Sequence, residues 1–204
     1  MIKKRILLKN IILFHFFFLI HSLVYAENFQ TGDIIFHISR SEQSLAIQAA
    51  THSPYSHMGM IVNKEGKTWV LEAIQPVKYT PLDSWIKRGE NQHYVVKRYI
   101  SNLSYDQKIK LIKEAEYYLG KPYDIYFEWD DRAIYCSEII WKAYNKALGI
   151  QLAPLQQLKQ FDLNSTTVKA LMKQRYGNNI PFNEKVIPPS AIYDSTLLKE
   201  IYRK

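Results

Sequence analysis

The single cysteine of this chain, Cys136 in "AIYCSEIIW" (133–141), is its strongest candidate for nucleophilic chemistry. A thiolate attacks carbonyl carbon, and cysteine nucleophiles are activated by a neighbouring histidine. With one cysteine, the chain cannot form an internal disulfide. Cys136 is therefore either a small buried apolar residue or a nucleophile, and its surroundings must decide between these two roles.

The residues after Cys136 predict a helix that begins at the cysteine. "CSEIIWKAYNKALG" (136–149) has apolar residues at helical spacing and ends at Gly149. The unpaired N–H groups and the positive dipole end at a helix start both favour a thiolate over a thiol. A helix terminus supplies about half of the roughly 2 kcal/mol needed for a thiolate to predominate at pH 7, so a cationic partner such as histidine is also required.

A hairpin is predicted for "SHMGMIV" (56–62), "NKEG" and "KTWVLEA" (67–73). With Glu65-Gly66 as a two-residue loop, the pairing register brings Glu72 level with the start of the first strand. A four-residue loop gives the same register. A three-residue loop would turn Glu72 to the opposite face of the hairpin.

In that register His57 is the diagonal neighbour of Glu72, on the same face, and Gly59 allows a close backbone approach beside them. A carboxylate on one imidazole nitrogen fixes the tautomer and supports an imidazolium, which leaves the other nitrogen to face a thiol. Glu72 lies among apolar residues, where an unpaired carboxylate is unfavourable. Cys136, His57 and Glu72 are therefore the candidate catalytic residues, with an exposed glutamate and a structural histidine as the alternative.

The other histidines after position 27 lack a carboxylate at a comparable register. His37 alternates with Phe36 and Ile38 in a strand, His52 ends the first helix, and His93 begins a strand after a polar loop. One cysteine and no close pair of histidines fall short of a zinc ligand set. We expect neither a metal nor a cofactor.

The elements that must position these residues predict an α+β fold. Ser41 is the expected N-cap of the first helix, and one face of that helix holds Leu45, Ala46, Ala49 and Ala50. Ser104 and Gln107 form a capping box, and Gly120 is the expected stop of that helix. The predicted order is strand (31–38), helix (41–53), hairpin (56–73), strand (93–100), helix (104–120) and helix (136–149).

Two later segments place basic residues beside apolar ones. They are "TVKALMKQRYG" (167–177), which predicts a short helix, and "VIPPSAIYDSTLLKEIY" (186–202). This pattern is typical of an amphipathic helix packed on its own domain, and peripheral contact with a membrane surface is the alternative.

The first 26 residues have the pattern of a secretory signal peptide. A positive segment precedes the apolar stretch "IILFHFFFLI" (11–20), and "VYA" ends at Ala26. We therefore predict an exported protein, periplasmic or secreted, whose mature domain is 27–204. Removal of four positive charges lowers the formal net charge from +8 to +4. That mild charge, without an arginine-rich run, gives no indication of nucleic-acid binding.

Several ordered motifs resemble one enzyme family. "GKPYDIYFEWDDRAIYCSEIIWKAY" (120–144) resembles the cysteine segment of NlpC-type cell-wall peptidases, in which the cysteine precedes the histidine. Here the histidine segment "SHMGMIV" comes first, which resembles the circularly permuted YiiX/YaeF-like papain-like amidases. "GDIIF", "VLEA" and "VIPPSAIYDSTLL" also resemble that family, so the likeness extends from about Gly32 to Leu198.

The resemblance implies a small antiparallel barrel-like sheet with helices packed against it. It also implies a Cys-His-polar triad, which falls on Cys136, His57 and Glu72. Tyr123 matches a tyrosine that lines the site in the wider superfamily, where it would orient substrate or help to bind the oxyanion. A tyrosine packed in a loop is the alternative for this position.

Together these features predict an exported cysteine amidase or peptidase that works through an acyl-enzyme. The expected substrate is a peptide, amino-acid amide or lipid amide of the cell envelope, such as a peptidoglycan stem peptide. A lipid acyltransferase or thioesterase on the same scaffold is one alternative. A binding module without catalysis is the other, and it predicts an ordinary thiol at Cys136.

Overall fold

The structure, a computed structural model, describes residues 28–204 of the 204-residue chain. The predicted signal peptide lies outside the described residues. Eight strands are present in this part: β1 (Ile34–His37), β2 (His57–Lys64), β3 (Lys67–Glu72), β4 (Lys78–Pro81), β5 (Val95–Tyr99), β6 (Gln156–Gln157), β7 (Lys185–Val186) and β8 (Leu198–Arg203). Six α-helices accompany them: α1 (Glu42–Thr51), α2 (Leu82–Arg88), α3 (Tyr105–Glu116), α4 (Cys136–Leu148), α5 (Thr166–Tyr176) and α6 (Pro189–Tyr193).

Six of the strands form an antiparallel sheet in the order β4-β3-β2-β1-β5-β8. The β2–β3 hairpin turns through Glu65 and Gly66, whose φ angles are both positive, and Lys64 pairs with Lys67. Two positive φ angles in a two-residue loop match the twist of the flanking strands. The predicted loop and register of this hairpin are confirmed.

Both faces of the sheet are covered. Alternate residues along a strand point to opposite faces of the sheet, and here they enter different apolar clusters. Ile34 of β1 packs in the cluster that contains α4, whereas Ile35 packs in the cluster that contains Trp85 of α2. Helix α4 is central: its residues from Cys136 to Tyr144 are all buried. A helix buried on all sides holds its first residue in a fixed position relative to the sheet.

A separate apolar cluster joins α1 to α5. Ala46 of α1 packs with Leu158, Val168 and Met172, all of which are nearly inaccessible to solvent. The predicted helix at 167–177 is therefore α5, packed on its own domain. Leu45, in contrast, is 60% exposed, so its predicted place on the apolar face of α1 is wrong. The other three predicted residues do lie on the packed face: Ala46 is buried, and Ala49 and Ala50 pack against the same cluster.

The predicted α+β class with an antiparallel sheet is confirmed, and the main differences concern the end of one helix and the C-terminal segment. Helix α3 ends at Glu116, and turns continue from there to Gly120, so the stop lies before the predicted glycine. The segment 186–202 holds the short helix α6 and the edge strand β8 rather than one amphipathic helix. Within residues 28–204, we find no helix that combines the length and apolarity needed to cross a membrane.

Candidate active site

Cys136 is the first residue of α4, and its side chain is almost completely buried. Tyr135 is the N-cap residue, and Glu138 accepts a hydrogen bond from the Tyr135 N–H at 3.3 Å. The first N–H groups of a helix have no acceptor within the helix, and the positive end of the dipole lies there. The sulfur is therefore at the electropositive end of a rigid, buried helix.

The hairpin positions His57 and Glu72 on the neighbouring part of the sheet. His57 begins β2 and Glu72 ends β3, and both side chains are buried. Gly59 lies between them in the pairing: a Cβ at this position would be 2.4 Å from Val70 Cγ1 and 2.9 Å from the Leu71 carbonyl oxygen. Only glycine lets the two strands approach this closely, as the sequence indicated.

The structure brings the three sequence-predicted residues together. Nε2 of His57 lies 2.7 Å from Oε2 of Glu72, and Cys136 is close enough to the same imidazole to raise its pKa. Because Nε2 is engaged by the carboxylate, Nδ1 is the nitrogen left for the sulfur. His57 thus links a thiol at a helix start to a buried carboxylate.

Two further side chains complete the environment of the Glu72 carboxylate. Its Oε1 accepts a 2.6 Å hydrogen bond from the Thr80 hydroxyl of β4 and a hydrogen bond from the Arg88 guanidinium. Arg88 stands in the last turn of α2, where a cation is favoured by the helix dipole. With His57 on the other oxygen, the carboxylate has three donors, which compensate the cost of burying its charge.

These contacts shift the pKa values of His57 and Glu72 in opposite directions. Burial lowers the pKa of His57, but the proximity of Cys136 and the hydrogen bond to Glu72 outweigh burial and raise it to about 9. Burial raises the pKa of Glu72, yet the contacts with His57, Arg88 and Thr80 lower it to about 2. Between these values, an imidazolium beside a carboxylate is the favoured state of the pair.

An aromatic layer supports His57 from the side of β1. His37 pairs with His57 across the strands, its ring 5.3 Å from the His57 ring and stacked at 3.9 Å on Trp85. Burial, followed by the charges of His57 and Arg88, lowers the pKa of His37 to about 2. His37 is therefore neutral at physiological pH and provides packing without a competing charge, in agreement with its predicted place on a strand face.

The sequence is similar to those of known proteins over nearly all of the described residues. A family model described as "Permuted papain-like amidase enzyme, YaeF/YiiX, C92 family" matches residues 28–202. The chain belongs to this family.

Two relatives show the extent of the similarity. The uncharacterized protein YiiX of Escherichia coli K12 is 53% identical over 175 residues, which are 86% of this chain and 87% of that protein. A crystal structure of metalloprotein YiiX from Escherichia coli O157:H7 has a TM-score of 0.84 and 52% identity, and the match covers 86% of this chain and 97% of that one. The resemblance to the YiiX/YaeF-like family is confirmed.

The crystal structure of the relative is described as that of a metalloprotein. In the described part of this family member, no group of three or more His, Cys, Asp or Glu side chains is placed to hold a metal ion. The side chains in the described part of the chain therefore do not fit a metal site, and we assign no metal-dependent step to them.

In this permuted papain-like amidase family member, Tyr123 lines the same cavity as Cys136. Arg175 Nη2 donates a hydrogen bond to Gln43 Oε1, which orients the amide so that Gln43 Nε2 donates to the Tyr123 hydroxyl at 2.8 Å. The Tyr123 oxygen is an acceptor in this chain of hydrogen bonds, so its own proton is available to a further acceptor. Tyr123 is therefore a directed donor in the wall of the cavity.

The cavity beside Cys136 is lined mainly by apolar side chains. It lies between α1, α5 and the start of α4, and the residues 186–189 close another side. Its apolar wall includes Ala46, Leu158, Val168, Leu171, Met172 and Val186. Such a lining suits an apolar portion of a ligand, because burial of apolar surface is the main source of its binding energy.

Sequence reasoning did not identify five of the residues that shape this site: Thr80, Arg88, Trp85, Gln43 and Arg175. The segment that contains the first three, "KYTPLDSWIKR", has a proline and short elements, which weaken strand and helix signals. Gln43 and Arg175 come from helices that meet only in the tertiary structure. A polar residue on a surface helix carries no sign in the sequence that it faces a cavity.

Proposed function

We propose that this protein is an exported cysteine amidase in which Cys136 is the nucleophile, His57 the proton carrier and Glu72 the residue that orients His57. The observation that carries this proposal is the hydrogen bond from His57 to the buried Glu72 carboxylate, with Cys136 close enough to the same imidazole to raise its pKa. Membership of the permuted papain-like amidase family supports it. The proposed export rests on the signal sequence of residues 1–26.

The proposed reaction begins with the thiolate of Cys136 and the imidazolium of His57. The sulfur attacks the carbonyl carbon, and the resulting oxyanion is stabilised by the Cys136 backbone N–H and the Tyr123 hydroxyl. When the C–N bond breaks, His57 gives its proton to the leaving amine. Water then attacks the thioester, His57 accepts one water proton, and a carboxylic acid leaves as the sulfur is released.

The proposed substrate is an amide of the cell envelope, such as a peptidoglycan stem peptide or a lipid amide. A lipid acyltransferase or thioesterase is the second candidate, and the apolar lining of the cavity favours it. Both candidates use the same acyl-enzyme, but they differ in what occupies the cavity. Peptide substrates would leave the apolar wall partly unused, whereas an acyl chain would cover it.

Hydrolysis of two matched anilides shows whether the cavity binds an acyl chain or a peptide. N-dodecanoyl-p-nitroanilide and an alanyl dipeptide p-nitroanilide release the same chromophore, and intact mass spectrometry detects the acyl-enzyme. We expect Leu171→Trp, which fills the cavity, to slow the dodecanoyl substrate and spare the dipeptide. Leu45→Trp is the control, because Leu45 is exposed. Equal effects of Leu171→Trp on both substrates would contradict a role for the cavity in acyl binding.

Alkylation by iodoacetamide tests the proposed chemistry without a substrate. At pH 6 we expect Cys136 to react faster in the wild type than in His57→Ala or Glu72→Ala, because a neighbouring imidazolium favours attack by the sulfur. Equal rates in all three proteins, or no reaction in the folded wild type, would favour the binding module without catalysis. In that case Cys136 would be a packing residue.

A further inference from the structure

Arg175 is the charged side chain among the residues that line the cavity beside Cys136. It lies on α5, three to seven residues beyond Val168, Leu171 and Met172, which contribute to the apolar wall from the same helix. A guanidinium in such a wall is unusual, because burying an unpaired charge among apolar groups is costly. A partner of opposite charge would offset the energetic cost of burying this guanidinium.

The described residues do not provide that partner. Nη2 of Arg175 donates to Gln43, and the guanidinium lies 5.2 Å above the Phe127 ring. Nη1 is shielded from solvent and has no hydrogen-bond partner in the described chain. Asp124 acts on Arg175 through its charge, but the two side chains do not form an ion pair. One nitrogen of the fork is thus left for a ligand.

The hydrogen bonds of Arg175 show which end of the cavity it occupies. Gln43 connects it directly to Tyr123, which shares the cavity wall with Cys136. Val168 lies seven residues earlier on the same helix, which is about 10 Å along the helix axis. Arg175 is therefore at the catalytic end, and the apolar wall extends away from it.

We propose that Arg175 binds an anionic group of the substrate, next to the bond that is cleaved. The substrate class is an N-acyl amine whose acyl chain lies along the apolar wall and whose amine portion carries a carboxylate or a phosphate. This assignment rests on the proposed amidase function for the position of the scissile amide. The planar fork of arginine suits either anion, since both present oxygens at hydrogen-bonding distance.

Matched substrates that differ in one charge test this role. N-dodecanoylglycine and N-dodecanoylglycinamide form the carboxylate pair, and N-dodecanoyl-O-phosphoethanolamine and N-dodecanoylethanolamine form the phosphate pair. We expect the wild type to prefer the anionic member of one pair by about tenfold or more in kcat/KM, as is typical of a charged hydrogen bond. The pair that shows the preference identifies the anion.

Variants of Arg175 and its neighbours separate anion binding from other effects. Arg175→Gln should reduce the preference to near equality, and Arg175→Lys, which keeps the charge, should retain part of it. Lys173→Gln removes an exposed charge from the same helix and should leave the preference intact.

Binding to Cys136→Ala distinguishes failure of this site from failure of the amidase function. Suppose that the wild type cleaves no substrate, but Cys136→Ala binds the anionic member more tightly than the neutral one and Cys136→Ala/Arg175→Gln does not. In that case Arg175 is an anion site and the amidase proposal is wrong. An equal preference in wild type and Arg175→Gln would overturn the role of Arg175. No charge preference in hydrolysis or binding, or no binding at all, would overturn it as well.

Discussion

Replacement of Glu72 by glutamine provides the sharpest test of the proposed mechanism, because it removes the charge and keeps the shape. Thr80 and Arg88 both donate to Oε1 of Glu72, so the amide oxygen of the variant must remain at that position. The amide NH₂ group then faces Nε2 of His57. Nε2 becomes an acceptor, and the imidazole carries its proton on Nδ1, towards Cys136, where it cannot accept the thiol proton.

The size of the effect follows from the lost charged hydrogen bond between Glu72 and His57, 2.7 Å long in the native protein. Such a bond contributes about 1.5–3 kcal/mol, which corresponds to one or two pH units in the titration of an imidazole. We therefore expect the His57 titration midpoint to fall from about 9 to below 8 in Glu72→Gln. The same energy predicts a loss in kcat/KM of about tenfold to a hundredfold, before the tautomer effect is added.

Nitrogen-detected NMR of the imidazole ring, followed against pH, measures both the midpoint and the tautomer. Hydrolysis of whichever anilide the wild type cleaves gives kcat/KM on the same samples. Glu90→Gln is the control, since it removes one carboxylate from an exposed position near α2. An unchanged His57 midpoint and tautomer in Glu72→Gln would show that the carboxylate does not hold the ring, and the reasoning would fail.

Three other predictions concern the residues around this pair. Arg88→Gln should raise the pKa of Glu72 from about 2, so the acid limb of the pH–rate profile moves about one pH unit higher, while the exposed Lys87→Gln leaves it unchanged. Gly59→Ala should lower both activity and the free energy of unfolding, the latter by about 1–3 kcal/mol in urea denaturation, because its Cβ would meet Val70 Cγ1 at 2.4 Å. Gly66→Ala, in open space with a positive φ, should cost about 1 kcal/mol and spare activity. Since the folded pKa of Glu72 is lower than its ordinary 4.5 and that of His57 is higher than its ordinary 6.5, the stability that the wild type has over Glu72→Gln should be full between about pH 4.5 and pH 6.5. It should decline towards pH 2 as Glu72 is protonated and towards pH 9 as His57 loses its proton, as urea denaturation at several pH values would show.

The short-range features of this protein could be predicted from the sequence because they depend on local chemistry. The loop Glu65-Gly66 determines the register of the hairpin, and the register determines that His57 and Glu72 share a face. The start of α4 at Cys136 follows from the apolar periodicity after it. Loop length, strand period and helix period are properties of neighbouring residues, so no knowledge of the tertiary structure is needed.

The contacts that complete the site depend on elements distant in sequence, and only the tertiary structure decided them. Arg88 reaches Glu72 because α2 packs across the sheet, and Arg175 reaches the cavity because α5 packs on α1. The edge strand β8 was missed for the same reason: its polar, half-exposed residues become a strand only through pairing with β5. Local propensity determines which elements form, whereas burial of their apolar faces against one another determines which polar side chains meet.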